Sequence, residues 1–204
     1  PGGRPGPVQR FTMDGLTQDR PMFGASATAT LLAWDELDVV AGVHTTVVRP
    51  VADDASATGT ERRLSAVGFF PTPQAIAQTD DGFVMGWGDP TGDALVMPLD
   101  ASGAMAGAPA GLSTLDDSDG TIDLAVSFGG GAAVYGARIE GGRTEVHAHL
   151  IDGAGAPFDV ERPLTVGPDS GSDASIAEFA GGYAVSYRQT GASPVLRVLF
   201  LDSN

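Results

Sequence analysis

One short stretch combines the residue types and the spacing that a bound calcium ion requires. It is Asp117-Ser118-Asp119-Gly120, followed by Asp123. Carboxylate oxygens at alternate positions before a glycine turn are typical of calcium-binding loops. The EF-hand pattern also needs a later glutamate at a fixed position and two flanking helices, and neither is found around this stretch. The stretch therefore predicts either a calcium site formed by Asp117, Asp119 and Asp123 or a plain aspartate-rich turn.

Two histidines form a second candidate site. His147 and His149 lie two residues apart in a segment of alternating pattern, so a strand would place both on one face. Two imidazoles and a third ligand could hold a transition metal, but no third ligand is evident nearby. His44 occupies the matching segment of an earlier repeat. We therefore favour a structural role for the histidine pair.

Partner binding is best sought where the sequence does not repeat. Phe69 and Phe70 form an aromatic pair in a single loop, directly before a proline. Asp89 and Asp93 lie in a variable loop of the same repeat. We interpret these four residues as candidate contacts for a protein or carbohydrate.

The usual signatures of nucleophilic catalysis are missing from the sequence. No Gly-x-Ser-x-Gly motif occurs, and the three histidines all fall in one type of segment. A glycoside hydrolase that uses two loop carboxylates remains open, because acidic residues are abundant. Abundance makes any one pair non-specific, so the sequence favours a protein that is not an enzyme.

Composition restricts the class of protein further. The 204 residues include 26 acids, 11 arginines, no lysine and no cysteine, which gives a net charge of −15. Such a surface repels nucleic acid, and the lack of cysteine excludes disulfides and zinc–thiolate sites. No apolar run is long enough for a transmembrane helix. The 29 glycines and 14 prolines are interleaved with apolar residues, which is typical of turn-rich β structure.

A repeat with a constant internal spacing is the strongest signal in the sequence. An aromatic residue closes one apolar segment of each repeat, at Trp34, Trp87, Tyr135 and Tyr187. Each follows an apolar residue by 23 positions, and these residues are Phe11, Leu64, Leu112 and Leu164. A Leu/Ile-Asp-x-x-Gly turn recurs as well, at Leu99–Gly103 and Ile151–Gly155. About fifty residues and four strands per repeat predict the blades of a β-propeller.

The phase of the repeats predicts how such a ring would close. The fourth repeat lacks an outer strand, whereas Val8–Thr12, before the first repeat, has the pattern of an additional outer strand. We therefore expect an all-β, four-bladed β-propeller in one domain, closed by the N-terminal strand. The expected repeats are 22–65, 73–113, 121–165, and 173–204 with 8–12, after a linker at 1–6. The alternatives are half of an eight-bladed propeller or a fragment of a longer repeat array.

These repeats resemble those of secreted bacterial β-propeller-like proteins. The resemblance rests on the phrase Gly82-Phe83-Val84 with Trp87 and on the Leu-Asp-x-x-Gly turn, and it extends over nearly the whole chain. It implies an extracellular or cell-surface protein, and the opening "PGGRPGP" is the kind of sequence expected at a processed junction in a larger polypeptide. The favoured function is a non-catalytic binding or scaffolding propeller that mediates protein interaction or surface assembly. A calcium-dependent carbohydrate-binding module and a glycoside hydrolase are the alternatives.

Overall fold

The fold was analysed in a computed structural model. It describes residues 16–26, 28–52, 56, 58–64, 72–88, 93–113, 118–127, 129–139, 141–165, 168–179, 181–191 and 193–202. For residues 72, 73 and 118–120, only the backbone is described. Every regular element in these ranges is a β-strand, so the expected all-β class is confirmed. Within the same ranges, no helix has the length and apolar character needed to cross a membrane.

In the described ranges, fifteen strands form four antiparallel sheets in chain order. Sheet A consists of β1 (Thr17–Ala25), β2 (Thr30–Asp38), β3 (Val43–Val51) and β4 (Arg62–Leu64). Sheet B consists of β5 (Thr72–Gln78), β6 (Gly82–Gly88), β7 (Ala94–Asp100) and β8 (Ala110–Gly111). Sheet C consists of β9 (Ser118–Ser127), β10 (Gly130–Ile139), β11 (Arg143–Asp152) and β12 (Arg162–Pro163). Sheet D consists of β13 (Ser170–Phe179), β14 (Gly182–Thr190) and β15 (Val195–Asp202).

Each sheet is a meander in which neighbouring strands are consecutive in the chain. Alternation in the second repeat predicts strands at 74–79, 83–88, 94–99 and about 110–113, and β5 to β8 begin and end within two residues of these bounds. Sheet D has three strands in the described part of the chain, as the missing outer strand of the fourth repeat predicts. The N-terminal segment Val8–Thr12 lies outside the described residues, so its pairing stays a prediction.

Consecutive sheets pack against each other, chiefly near their first strands. The strand β5 contacts β1, β9 contacts β5, and β13 contacts β9. Strand contacts of comparable extent do not join sheet D to sheet A in the described ranges. The structure is therefore a series of four sheets stacked in chain order, which is compatible with propeller blades.

The hydrophobic core lies between the sheets. Separate clusters of buried side chains join sheet A to B, sheet B to C, and sheet C to D. The aromatic residue of each later repeat faces the preceding sheet: Trp87 packs with residues of sheet A, Tyr135 with sheet B and Tyr187 with sheet C. Full burial of one such large side chain contributes roughly 1.5–3 kcal/mol. The repeated aromatics are thus packing residues, as their constant position predicts.

A serine forms the turn between β1 and β2, where the sequence has no glycine pair. The Ser26 hydroxyl oxygen accepts hydrogen bonds from the amides of Thr28, at 3.2 Å, and Ala29, at 2.9 Å. The Ser26 amide donates to the carbonyl oxygen of Ala29 at 2.7 Å. Side-chain hydrogen bonds of this kind stabilise tight turns. β1 and β2 therefore form a hairpin although no glycine pair connects them.

The Leu-Asp-x-x-Gly turn also contributes to packing between sheets. The carboxylate of Asp100 accepts hydrogen bonds from the Ser102 and Ala104 amides at 2.8 and 3.0 Å. Gly103 has a φ of +77°, and a Cβ atom there would lie 2.7 Å from Val48 of sheet A. The turn of sheet B therefore rests directly on sheet A, and only glycine fits at its tip.

Replacing Gly103 with alanine is expected to lower the free energy of unfolding by about 2–3 kcal/mol, because strain and a steric clash add together. Gly42 is a matched control, since its φ is +67° and no atom lies within 4 Å of a Cβ there. Gly42→Ala should cost about 1 kcal/mol from strain alone. Denaturant unfolding measures both values, and equal losses would mean that the Val48 contact does not matter.

The pKa of Asp100 in this turn is expected to depend on the Ser102 hydroxyl. The hydrogen bond from the Ser102 hydroxyl, helped by two backbone amides, lowers the pKa of Asp100 below 3.8. A lowered folded-state pKa stabilises the fold above the usual pKa of aspartate, and this contribution is lost as the pH falls through the lowered value. NMR titration of Ser102→Ala should show the Asp100 pKa moving back toward its usual value. An unchanged pKa would exclude the hydroxyl as the main cause.

Candidate functional site

The structure places only part of the candidate calcium stretch. Asp117 lies outside the described residues, and of Asp119 only the backbone on β9 is described. Ser118-Asp119-Gly120 belongs to this strand, not to a turn. Among the side chains that the structure describes, no three His, Asp or Glu residues are grouped to hold a metal ion. The calcium site therefore stays a prediction.

Asp123 connects the first strands of two sheets. Its Oδ2 atom accepts hydrogen bonds from the Ser175 hydroxyl at 2.7 Å and from the Ile176 amide at 2.9 Å, both on β13. Its Oδ1 atom accepts from the amide of Leu124 at 2.9 Å. Both carboxylate oxygens are thus engaged within the protein, and the residue holds sheet C against sheet D.

The other candidate contacts are only partly described. Phe69, Phe70 and Asp89 lie outside the described residues, so their role stays a prediction. Asp93 is half-buried directly before β7. The structure therefore does not show whether these four residues lie close together.

All three histidines lie on the third strands of their sheets, and each is paired with a carboxylate. On β3, His44 Nδ1 lies 2.6 Å from Asp35, which is buried. On β11, His149 Nδ1 lies 2.9 Å from Asp159. The alternation of β11 puts His147 and His149 on one face, and both are buried there. This arrangement agrees with the structural interpretation of the pair.

His147 lies between two glutamates. Its Nδ1 atom is 2.9 Å from Glu161, and its Nε2 atom is 3.3 Å from Glu145. Of these two contacts, only the one at Nε2 has hydrogen-bond geometry. The Tyr135 ring stacks on the imidazole with centroids 5.9 Å apart. The group is an acid–base cluster enclosed between strands, because the His147 side chain is only 7% exposed.

The hydroxyl of Tyr135 links this cluster to the preceding sheet. It lies 2.7 Å from the Glu161 carboxylate and 3.0 Å from the carbonyl oxygen of Leu112, which follows β8 of sheet B. Burial, reinforced by the Glu161 carboxylate, raises the pKa of Tyr135 far above its ordinary value. The group therefore remains a hydroxyl and can act as a donor throughout the physiological pH range.

The same inter-sheet hydrogen bond recurs in the next repeat. The Tyr187 hydroxyl donates to the carbonyl oxygen of Leu164 at 3.3 Å. Leu112 to Tyr135 and Leu164 to Tyr187 are both separations of 23 residues. The spacing found in the sequence thus has a physical cause: each tyrosine hydroxyl reaches the outer strand of the sheet before it.

Sheet A contains a buried ion pair that the sequence did not reveal. Glu36 has a fully buried side chain, and its Oε2 atom lies 2.6 Å from Arg63. Its Oε1 atom accepts a hydrogen bond from the indole of Trp34 at 3.1 Å. Arg63 also contacts Glu61 at 3.2 Å. Arg63 on the outer strand β4 is thus paired with acids, although nothing in the alternation marks Glu36 as the buried partner.

The β2–β3 hairpin presents apolar side chains to solvent. Val39, Val40 and Val43 are 71%, 98% and 40% exposed. Asp38 shapes the turn, because its Oδ1 atom accepts hydrogen bonds from the amides of Val40 at 2.9 Å and Ala41 at 3.0 Å. We call Val39, Val40 and Val43 the valine tip. It is an ordered apolar surface in one repeat, since the matching turn of sheet C contains Gly141 and Gly142.

Comparison with known proteins does not assign the chain to a family. The resemblance to secreted propeller repeats therefore rests on the repeated residues alone. No protein-family model, no curated protein and no solved structure matches the chain.

Proposed function

We propose that the protein is a non-catalytic binding or scaffolding module that mediates protein interaction or surface assembly. The observation that carries this proposal is the valine tip, whose Val40 is 98% exposed although the turn around it is hydrogen-bonded. A turn whose backbone is already hydrogen-bonded loses little conformational entropy on binding. Because the tip does not recur in the sheet C turn, it is a feature that packing of the repeats does not require.

The placement of the ionisable groups supports the same proposal. His44, His147 and His149 each contact a carboxylate of their own sheet, at 2.6–2.9 Å. Glu36 and Asp35 are buried in comparable pairs. These groups contribute to the packing of strands and sheets, whereas a catalytic acid or base must reach a substrate.

The proposal also includes how the four sheets are arranged. We take the four sheets as blades of a four-bladed β-propeller in which Val8–Thr12 pairs with the outer edge of β15. Two facts support this: sheet D has three strands in the described ranges, and Phe11 precedes Trp34 by the repeated 23 positions. Half of an eight-bladed ring would instead leave this edge for another blade. An extracellular or cell-surface location fits the resemblance and is proposed with it.

A binding experiment with matched variants tests the function. Immobilised protein is incubated with the surface proteins of its source organism, and retained partners are identified by mass spectrometry. Val39→Asp combined with Val40→Asp should reduce retention of the partner at least tenfold. Val160→Asp is the control, because Val160 is 75% exposed but lies away from the tip. Equal retention by all variants would exclude the tip as the binding surface.

A screen for glycosidase activity tests the alternative that the protein is a glycoside hydrolase. Turnover of a glycoside that Glu145→Gln or Glu161→Gln abolishes would contradict the proposal, since these two carboxylates flank His147. The variants must first be shown to unfold at a temperature close to that of the original protein. Loss of activity could otherwise reflect loss of structure.

A further inference from the structure

The first strands of three sheets end beside a small cavity. Its volume is about 250 Å³, and it lies near the turns between the first and second strands of sheets B, C and D. The valine tip lies instead in a turn between a second and a third strand, which is the opposite end of a meander sheet. We call this space the turn cavity, and its described lining residues are Gln78, Thr79, Asp80, Val126, Ser127 and Glu178.

The walls of the turn cavity come from three consecutive sheets. Asp80 belongs to the sheet B wall and Glu178 to the sheet D wall, whereas Val126 and Ser127 form the wall of sheet C. The strand β9 contacts both β5 and β13, and these two strands have no contact of comparable extent with each other in the described ranges. The two carboxylates thus belong to the outer walls, and the wall of sheet C lies between them.

Contacts between the sheets hold these walls in place. The Oδ1 atom of Asp80 accepts a hydrogen bond from the amide of Gly129 in the β9–β10 turn at 3.3 Å. A Cβ atom at Gly153 of sheet C would lie 2.9 Å from the Oδ2 atom of Asp80. The Ser127 hydroxyl lies 3.2 Å from the hydroxyl of Tyr183 in sheet D. The cavity is therefore formed before a ligand binds, which lowers the entropic cost of binding.

One buried polar group of the turn cavity has no partner within the protein. Thr79 is only 6% exposed, and its amide donates a hydrogen bond to the carbonyl oxygen of Gly82 at 3.0 Å. Its hydroxyl makes no hydrogen bond in the described ranges. A Cβ atom at Gly155 would lie 3.8 Å from Thr79 Cγ2, so the methyl group is turned toward sheet C and the hydroxyl remains for the cavity. Because buried polar groups are normally hydrogen-bonded, this hydroxyl indicates a ligand.

The lining is negatively charged and rich in hydrogen-bond acceptors. Asp80 and Glu178 are exposed, and Glu178 has no hydrogen bond or ion pair in the described ranges. None of the described lining residues is basic. Ionised carboxylates accept hydrogen bonds but donate none. The net charge of −15 also raises the concentration of cations near the surface. The cavity therefore favours a ligand that is cationic and rich in donors.

An organic cation matches this arrangement better than a single metal ion does. Calcium–oxygen distances are about 2.3–2.6 Å, so two oxygens that bind one ion lie at most about 5 Å apart. Asp80 and Glu178 instead belong to opposite walls, and half-buried Val126 provides apolar surface on the wall between them. A molecule with a cationic group at each end and methylene groups in the middle complements all three walls.

We propose that the turn cavity binds an aliphatic diamine or polyamine. One ammonium group pairs with Asp80 and another with Glu178, while the methylene groups between them contact Val126. Each ammonium group has three donors and no acceptor, so the hydroxyls of Thr79 and Ser127 accept further hydrogen bonds from it. This activity goes beyond the partner binding proposed for the valine tip. It also requires only the described contacts among sheets B, C and D, and it does not depend on closure of the ring.

NMR titration of the whole chain with 1,4-diaminobutane tests the proposal. The backbone amide signals of the residues that line the turn cavity should shift and reach saturation. Asp80→Asn combined with Glu178→Gln should raise the Kd at least about fivefold, because both ion pairs are lost. Asparagine keeps an oxygen for the Gly129 amide, so the fold should be retained. Asp81→Asn combined with Asp173→Asn is the control, since it removes the same charge at exposed sites outside the cavity. It should change the Kd less than twofold.

Other ligands show whether both ends of the diamine are recognised. 1-Aminobutane has a single ammonium group and should bind at least about fivefold more weakly. No saturable shifts with the diamine, or equal losses in the two double variants, would overturn the proposal. Tighter binding of calcium chloride or of glucose at the same amides would overturn it as well. Val39→Asp combined with Val40→Asp should change the Kd for the diamine less than twofold, so failure of this proposal can be distinguished from failure of the proposed function.

Discussion

Arg63→Met is expected to lower the free energy of unfolding by about 3–5 kcal/mol, because it leaves a buried carboxylate without its charge partner. The side chain of Glu36 is fully buried, and its Oε2 atom lies 2.6 Å from the guanidinium. Methionine retains much of the apolar contact of arginine but supplies neither charge nor donors. A loss of this size is a large fraction of the stability of a typical domain. Urea unfolding at neutral pH measures it.

Two further variants show whether the ion pair is the cause. Glu36→Gln combined with Arg63→Met should recover most of the loss, because no buried charge then remains. Arg62→Met is a neighbouring control, since Arg62 is exposed and donates hydrogen bonds to Ser102 of sheet B at 3.1–3.2 Å. It should change stability by less than about 1 kcal/mol. Equal effects at both arginines would contradict the assigned role of Glu36.

Tyr135→Ala should cost about 3–5 kcal/mol, because a fully buried ring disappears from the contact between sheets B and C. Tyr135→Phe separates the ring from the hydroxyl. It should cost about 1–3 kcal/mol, since the Leu112 carbonyl and the Glu161 carboxylate lose a donor. Thermal and denaturant unfolding of the two variants measure both contributions.

Tyr187→Phe is the matched comparison from the next repeat. Its hydroxyl donates to the Leu164 carbonyl oxygen at 3.3 Å, and no carboxylate in the described ranges accepts a hydrogen bond from it. It should therefore cost less than Tyr135→Phe, by up to about 1 kcal/mol. The reverse order would mean that the Glu161 contact does not strengthen the Tyr135 hydrogen bond.

Much of the fold could be predicted from the sequence because the chain repeats its packing residues. Alternation predicts the strands, and glycine pairs such as Gly181-Gly182 predict hairpin turns. The constant 23-residue spacing predicts a packing role for Tyr135 and Tyr187, and their hydroxyls bond to the residues that directly follow the outer strands of the preceding sheets. The spacing is constant because its two ends are in contact: each tyrosine hydroxyl bonds to the carbonyl oxygen of the residue 23 positions earlier.

The candidate sites were less predictable, since they depend on which side chains meet across strands. The calcium site at Asp123 stays a prediction, and the sequence gives no sign that this carboxylate also joins β9 to β13. The Ser26 turn and the buried Glu36 leave no periodic signal, because each arises from one local arrangement. The sequence analysis did not predict the valine tip. Its signal is an apolar turn, Val39-Val40 followed by Gly42, that the other repeats lack.

In sheets B, C and D, the repeated aromatic residue packs against the sheet before it. Nuclear Overhauser contacts between aromatic rings and methyl groups test this most directly, since the chain has few tyrosines. The Tyr135 ring should show contacts to the methyl groups of Val84 or Val96 in sheet B, and the Tyr187 ring to those of Val146 or Leu150 in sheet C. Contacts of both rings confined to methyl groups of their own sheets would contradict the claim.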